Sequence, residues 1–166
     1  MENHLGYPLE KHVYTTKDGY INTCHRIPGP KGSKTTFEEP HENVKPVVIY
    51  QHGLMDCGAG ALCAEENSIG LKLVNAGFDL WLNNSRGNKF SRDHALIDMN
   101  TGSKDDISKY WSFSFTELGK YDQPALWNYI RGVTGNSKAS YIGHSQGTSQ
   151  MFAALCTDPE FFKDRL

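Results

Sequence analysis

Apolar positions along the chain fall into short runs separated by polar stretches, and their period changes near residue 46. His12 to Thr16 and Tyr20 to Ile27 are extended runs flanking Lys17-Asp18-Gly19. An Asp-Gly pair between two such runs is a strong short-range hairpin signal. From Pro28 to Pro46 the chain turns to Gly, Pro, Lys, Thr and Glu, the composition of a polar surface loop. Val47-Val48-Ile49-Tyr50 is then a continuous β-branched run, as expected of a strand covered on both faces in a parallel sheet. Phe78 to Leu82 and Ala139 to Ile142 predict a second and a third buried strand. Between the first and second of these runs, Ser68 to Ala76 places Ile69, Leu73 and Ala76 on one helical face, with Gly77 positioned to cap it.

The segment from Ser114 to Val133 carries the fullest helix-start signal. Ser114 and Glu117 make an S-x-x-E capping box, and Phe113 and Leu118 stand at the two hydrophobic-staple positions. Pro124 removes a backbone donor inside this segment and is expected to kink or divide the helix. Thr148 to Cys156 predicts a further helix, stopped by Asp158-Pro159. The order strand, helix, strand, helix, strand, helix implies an α/β class with a mostly parallel sheet and right-handed crossovers behind the N-terminal hairpin. Residues 1–166 form one domain on this reading, with a surface loop over 28–46 and a strand–turn–helix unit over 139–157. No internal repeat or low-complexity tract interrupts it.

Composition narrows the function classes. Seventeen basic residues stand against nineteen acidic ones, for a net charge of −2, with no block of like charge. That balance argues against nucleic acid as a partner. No apolar run reaches the roughly 18 residues of a membrane span, and the first eight residues hold no apolar core of a secretory signal. Cys24, Cys57, Cys63 and Cys156 lack histidines at metal-ligand spacing, so free thiols are expected and neither metal nor cofactor is called for.

The chemistry concentrates at Gly143-His144-Ser145-Gln146-Gly147, a G-x-S-x-G between a buried strand and a helix. So tight a turn needs glycine on both flanks. It lifts the Ser145 hydroxyl clear of the sheet and aims the Gln146 N–H, at the start of a helix, toward developing negative charge. Ser145 is therefore the candidate nucleophile. Gln51-His52-Gly53-Leu54 follows the strand at 47–50, where a His-Gly pair supplies the second oxyanion donor, here the Leu54 N–H. Taken alone, the same residues would read as a glycine turn beside a packed, hydrogen-bonded histidine.

In these residues the chain resembles the acid lipases, the family that includes gastric and lysosomal acid lipase. The likeness runs from Gly6-Tyr7-Pro8 through Asp18-Gly19-Tyr20-Ile21, Arg26-Ile27-Pro28, Asn84-Ser85-Arg86-Gly87-Asn88, Trp111-Ser112-Phe113-Ser114-Phe115 and Lys120-Tyr121-Asp122 to Gly143-His144-Ser145-Gln146-Gly147-Thr148. Asn83 stands where that family has Gly, and Met55 where it has Leu. The resemblance implies the N-terminal half of an α/β-hydrolase fold, lacking the C-terminal strands and cap. It further implies Ser145 as nucleophile, Leu54 and Gln146 as backbone oxyanion donors, and triacylglycerols or sterol esters as substrates. Contact with a lipid–water interface in the full-length protein and a secreted or lysosomal location also follow from it.

One departure governs activity. The triad order in this fold is Ser, then Asp or Glu, then His, yet His4, His12, His25, His41, His52, His94 and His144 all precede Ser145. The later acids, Asp158, Glu160 and Asp164, lie on or just past the elbow helix. His144, as the neighbour of Ser145 in a sharp turn, is not expected to serve as base. The triad acid and base are thus expected to be absent, and the chain to be a truncated, inactive part of a serine esterase. The rival readings are a non-enzymatic remnant and an esterase or thioesterase outside the lipases. Arg86 is expected to be a loop arginine satisfying backbone carbonyls, and the sequon Asn83-Asn84-Ser85 to be too deep for glycosylation.

Overall fold

The computed structural model describes residues 5–35 and 45–166; residues 36–44 of the expected surface loop fall outside them. Strands β1 (Glu10–Thr15) and β2 (Tyr20–Ile27) form the antiparallel hairpin around Asp18-Gly19, with Glu10 opposite Arg26. β3 (Val47–Gln51) and β4 (Asp79–Asn83) run parallel, as do β3 and β6 (Ala139–Gly143), while β2 joins β4 antiparallel. The sheet order is β1-β2-β4-β3-β6, with the short β5 (Asp93–His94) added on β2. Arg26 fastens the hairpin to β4, its guanidinium lying 2.8 Å from both Asp79 carboxylate oxygens and 3.1 Å from Glu10.

Every residue of β3 and β4 is buried, because helices cover both faces. Alternate side chains enter two cores. Val48, Tyr50, Leu80 and Leu82 pack with Leu71 and Val74 of α1 (Ile69–Asn75). Val47, Ile49 and Trp81 pack on the opposite face with Leu126, Trp127 and Ile130 of α4 (Gln123–Thr134), Met151 and Ala154 of α5 (Gln146–Thr157), and Phe162 of α6 (Pro159–Lys163). A short helix, α2 (Lys104–Tyr110), was not expected from the sequence.

Three expectations need correction. In α1 the inward face is Gly70, Leu71 and Val74, whereas Ile69 is half-exposed and Ala76 exposed. The reason is Gly70: a Cβ there would lie 2.8 Å from Leu62 and 3.1 Å from Leu80, so the backbone itself approaches the sheet and turns Ile69 outward. Second, Ala139–Gly143 is not a buried strand. Among the described residues it pairs with β3 alone, and of its five residues only Ala139 is buried. Third, the segment after Ser114 divides, but before Pro124 rather than at it. The single turn α3 (Phe115–Glu117) widens into a π-helical turn over Leu118–Asp122, where the Gln123 N–H donates to the Leu118 carbonyl, and α4 starts with Pro124 in its first turn. A residue without an N–H is tolerated there, where no intrahelical acceptor is needed.

Candidate active site

The C-terminal ends of β3, β4 and β6 meet where the crossovers leave the sheet in opposite directions: β4 lies on one side of β3 and β6 on the other. Ligands in open α/β sheets bind at such a switch point. Ser145 stands between β6 and α5 at φ 54° and ψ −122°, a region that L-residues enter at a cost of about 1–3 kcal/mol. The flanking glycines answer to close backbone approach. A Cβ on Gly147 would lie 2.4 Å from the Gln51 carbonyl oxygen, and one on Gly143 would lie 2.7 Å from the Thr148 nitrogen. The turn is held by N–H donation from His144 to Gln51 at 2.9 Å and from Gly147 to His144 at 2.9 Å.

Gly53 brings the loop after β3 against this turn: its Cβ position is 2.9 Å from the Ser145 Cβ and 3.4 Å from the His144 Nδ1. Leu54 and Gln146 both line one cavity of about 730 Å³, and among the described residues neither backbone N–H has an intramolecular acceptor. His52, almost wholly buried, sets the orientation of this loop. Its Nε2 accepts the Ser85 N–H at 3.0 Å, which assigns the ring proton to Nδ1, and Nδ1 donates to the Gly53 carbonyl at 2.7 Å. The carbonyl so engaged belongs to the same trans peptide unit as the Leu54 N–H, which therefore points the opposite way. Burial pushes the His52 imidazole below its ordinary value, keeping it neutral.

Beneath the site lies a ring of buried amides that sequence reasoning did not single out. Gln51 donates to the Ser85 hydroxyl at 2.9 Å and accepts from Asn83 at 2.7 Å and Gln123 at 3.1 Å; Gln150 donates to the same hydroxyl at 3.1 Å. These bonds tie β3, β4, α4 and the elbow helix together. The available signal was a polar residue closing each apolar strand run, Gln51 after Tyr50 and Asn83 after Leu82. Asn83 itself is fully buried, so no glycan fits there.

Arg86 is structural, but its partners are carboxylates rather than backbone carbonyls. It reaches Asp122 at 2.6 and 2.9 Å and Asp18 at 2.6 and 2.9 Å, and stacks 3.7 Å from the Tyr20 ring centroid. Carboxylates win because a buried guanidinium requires its charge neutralised, which neutral carbonyls do not do. Burial pushes the Asp122 carboxyl up, to about 6, against the pull of Arg86.

No described histidine hydrogen-bonds the Ser145 hydroxyl. His12 is held by Glu10 and Tyr129, and His94 by Asp18 and Leu96. His25 lies 3.4 Å from the Asn84 amide, and His144 is exposed beside Gly53. His4 and His41 lie outside the described residues. Asp158 caps α6 through the Phe161 N–H, and Glu160 pairs with Lys163 on the surface. The cysteines are free thiols, Cys24 buried and Cys63 and Cys156 exposed. Among the described residues no cluster of His, Cys, Asp or Glu could hold a metal.

Residues 46–164 match the family model described as the alpha/beta hydrolase fold, and residues 1–63 match that of the partial alpha/beta-hydrolase lipase region. The chain is 40% identical to human lysosomal acid lipase/cholesteryl ester hydrolase and 39% identical to bovine gastric triacylglycerol lipase, over 97% and 96% of its own length. It spans 38% of each of these relatives. Among solved structures, an esterase from Pyrococcus furiosus superposes with TM-score 0.60 at 15% identity, covering 99% of this chain and 52% of that one. An epoxide hydrolase from Vigna radiata gives 0.58 at 16% identity, covering 92% and 35%.

Proposed function

The chain belongs to the α/β hydrolase fold family, and from that premise we propose that it carries the nucleophile and oxyanion hole of a serine ester hydrolase acting on lipid esters. The observation that carries this reading is the left-handed backbone of Ser145 in contact with Gly53. The Gly53 Cβ position lies 2.9 Å from the Ser145 Cβ, and the N–H groups of Leu54 and Gln146, which have no acceptor among the described residues, are read as the oxyanion donors. Ser145 attacks the acyl carbonyl, and the carbonyl oxygen, as it gains charge, accepts from both N–H groups in a site already oriented for it. The α5 N-terminus adds a favourable dipole. The intermediate collapses by breaking the ester C–O bond and expelling the alcohol, which takes up the proton that Ser145 lost; water then hydrolyses the acyl-enzyme, releasing the acid and restoring the Ser145 hydroxyl. The similarity to gastric and lysosomal lipases supports triacylglycerols or sterol esters as the substrate class, met at a lipid–water interface.

The base is the missing element. A serine hydroxyl needs one to take its proton, and no described imidazole is placed for it. Residues 1–166 alone should therefore retain at most the contribution of the oxyanion hole, roughly 10³–10⁴ over water where a triad has been removed from a serine enzyme.

The test compares hydrolysis of a short-chain chromogenic ester by this chain, by its Ser145→Ala variant, and by the chain joined to the remaining length of a gastric lipase relative. Turnover is expected only in the joined form, and it should disappear with Ser145→Ala. A joined form whose turnover survives Ser145→Ala would remove Ser145 as nucleophile. Robust, Ser145-dependent turnover by the chain alone would instead show that a residue such as His144 acts as base.

A further inference from the structure

We propose that Ser85 is a positioning residue for the oxyanion hole, holding the Leu54 and Gln146 donors in register with each other. The inference rests on the serine hydrolase reading of the site and adds a residue to it. Ser85 is 6% exposed and grips both donor-bearing segments. Its backbone N–H donates to the His52 Nε2 at 3.0 Å, and the other ring nitrogen fixes the Gly53 carbonyl, which shares a peptide plane with the Leu54 N–H. Its hydroxyl accepts from Gln150 at 3.1 Å. Gln150 stands on α5 one turn after Gln146, on the same face of the helix. The loop after β3 and the elbow helix are thereby referred to a single residue.

The buried amides behind Ser85 all donate toward it. Along one path Asn22 donates to the Tyr14 hydroxyl at 3.5 Å, Tyr14 to Asn83 at 2.9 Å, Asn83 to Gln51 at 2.7 Å and Gln51 to Ser85 at 2.9 Å. Along the other, Gln123 donates to Gln150 at 3.3 Å and Gln150 to Ser85. The two paths end on the two lone pairs of one hydroxyl. Reversed, a single hydroxyl proton would have to serve two amide oxygens, so Ser85 sets the direction of the whole network. The cost falls at the far ends: the Asn22 Oδ1 and Gln123 Oε1 have no partner among the described residues, although both side chains are fully buried. Buried acceptors left unpaired destabilise a fold, and apolar side chains would fill this layer without that cost. What the network supplies is orientation, its dipoles aligned with their positive ends toward Ser85 and each bond polarising the next. Such prior orientation is what an oxyanion hole requires.

The experiment has two arms, with a melting curve for every variant. The first uses residues 1–166, isotope-labelled for NMR, and needs no turnover. Gln150→Leu removes the α5 side of the link and should shift the backbone amide resonances of Ser85 and Leu54, which belong to other segments. Ile130→Val, a core change on α4 outside the network, should lower the melting temperature and leave both resonances in place. Ser85 and Leu54 resonances unmoved by Gln150→Leu would overturn the link.

The second arm uses the chain joined to the remaining length of a gastric lipase relative, with a short-chain chromogenic ester. Ser85→Ala should lower kcat about 10- to 100-fold, the scale of a small misplacement of a catalytic donor. KM should stay within about twofold, because only the transition state loses contacts. An alkyl boronic acid, whose adduct on Ser145 is tetrahedral, should lose affinity by the same factor as kcat. Gln150→Leu alone should lower kcat in the same way. Added to Ser85→Ala it should cost nothing further, because both substitutions cut one link. Ile130→Val should leave kcat unchanged. An unchanged kcat in Ser85→Ala, a rise in KM alone, or losses that multiply in the double variant would each overturn the positioning role. Failure of the hydrolase reading shows separately. A joined form without Ser145-dependent turnover would remove that reading, and the Ser85 link would then stand or fall on the resonances.

Discussion

At the scale of single residues, strain and protonation are set by neighbours that the sequence does not place. The motif around Ser145 was legible because glycine at 143 and 147 is a local necessity, and those residues stand where the backbone crowds. The strain predicts that Ser145→Gly stabilises the fold. Relief of about 1–3 kcal/mol exceeds the entropy that a glycine adds to the unfolded chain, about 0.5–1 kcal/mol. The melting temperature should therefore rise by about 2–4 °C; a fall on calorimetry would mean that the turn is not strained. His52 was legible as a packed, hydrogen-bonded histidine, but its partner was not, since Ser85 lies 33 residues away. Burial lowers its pKa in the fold, so as pH drops the unfolded chain takes up the proton first. Its contribution to stability is present above about 6.5 and is lost as pH falls through the folded value. Imidazole NMR shifts should show His52 titrating below about 6.5, and titration at or above that value would contradict the buried neutral ring.

At the scale of elements, local patterns were read well and their packing less well. The Asp-Gly turn and the Ser114–Glu117 capping box are contained within a few residues, and both form where expected. The face of α1 was misread because helical periodicity assigns no weight to glycine, yet at Gly70 there is no room for a Cβ between Leu62 and Leu80. The division of the 114–133 segment was foreseen from Pro124, but the widened turn before it needs tertiary reasons. It presents Asp122 to Arg86, and Arg86 joins that turn to the hairpin turn at Asp18. Three separate elements thus depend on one buried cation. Removing one partner of a buried pair costs about 3–5 kcal/mol, and Arg86 keeps Asp18, so Asp122→Asn should cost near the lower figure. Glu160→Gln, which breaks the exposed pair with Lys163, should cost under about 0.5 kcal/mol. Urea denaturation of the two variants measures the contrast. Equal costs would show that the Arg86 network holds nothing together.

At the scale of the whole molecule, the sheet ends in the hairpin strand β1 on one side and in β6 on the other. β1 and β2 shield the β4 side, whereas β6 offers its outer edge with no strand beside it among the described residues. Ser140 is exposed, and Tyr141, Ile142 and Gly143 are partly so. On the neighbouring elbow helix Phe152 is 62% exposed. An unpaired edge next to an apolar face is a template for another chain. The apolar run at 139–142 was legible in the sequence, but its neighbours were not, because strand order depends on crossovers rather than on composition. Residues 1–166 alone are therefore expected to self-associate, and sedimentation velocity should show species larger than 18.6 kDa growing with concentration. Ser140→Lys places a charge on that edge, where an approaching strand would have to bury it, and should raise the monomer fraction. Because Ser140 is exposed, the substitution should leave the melting temperature nearly unchanged. This separates an edge effect from a general loss of stability. A wild-type chain that stays monomeric at high concentration would overturn the edge as a site of self-association.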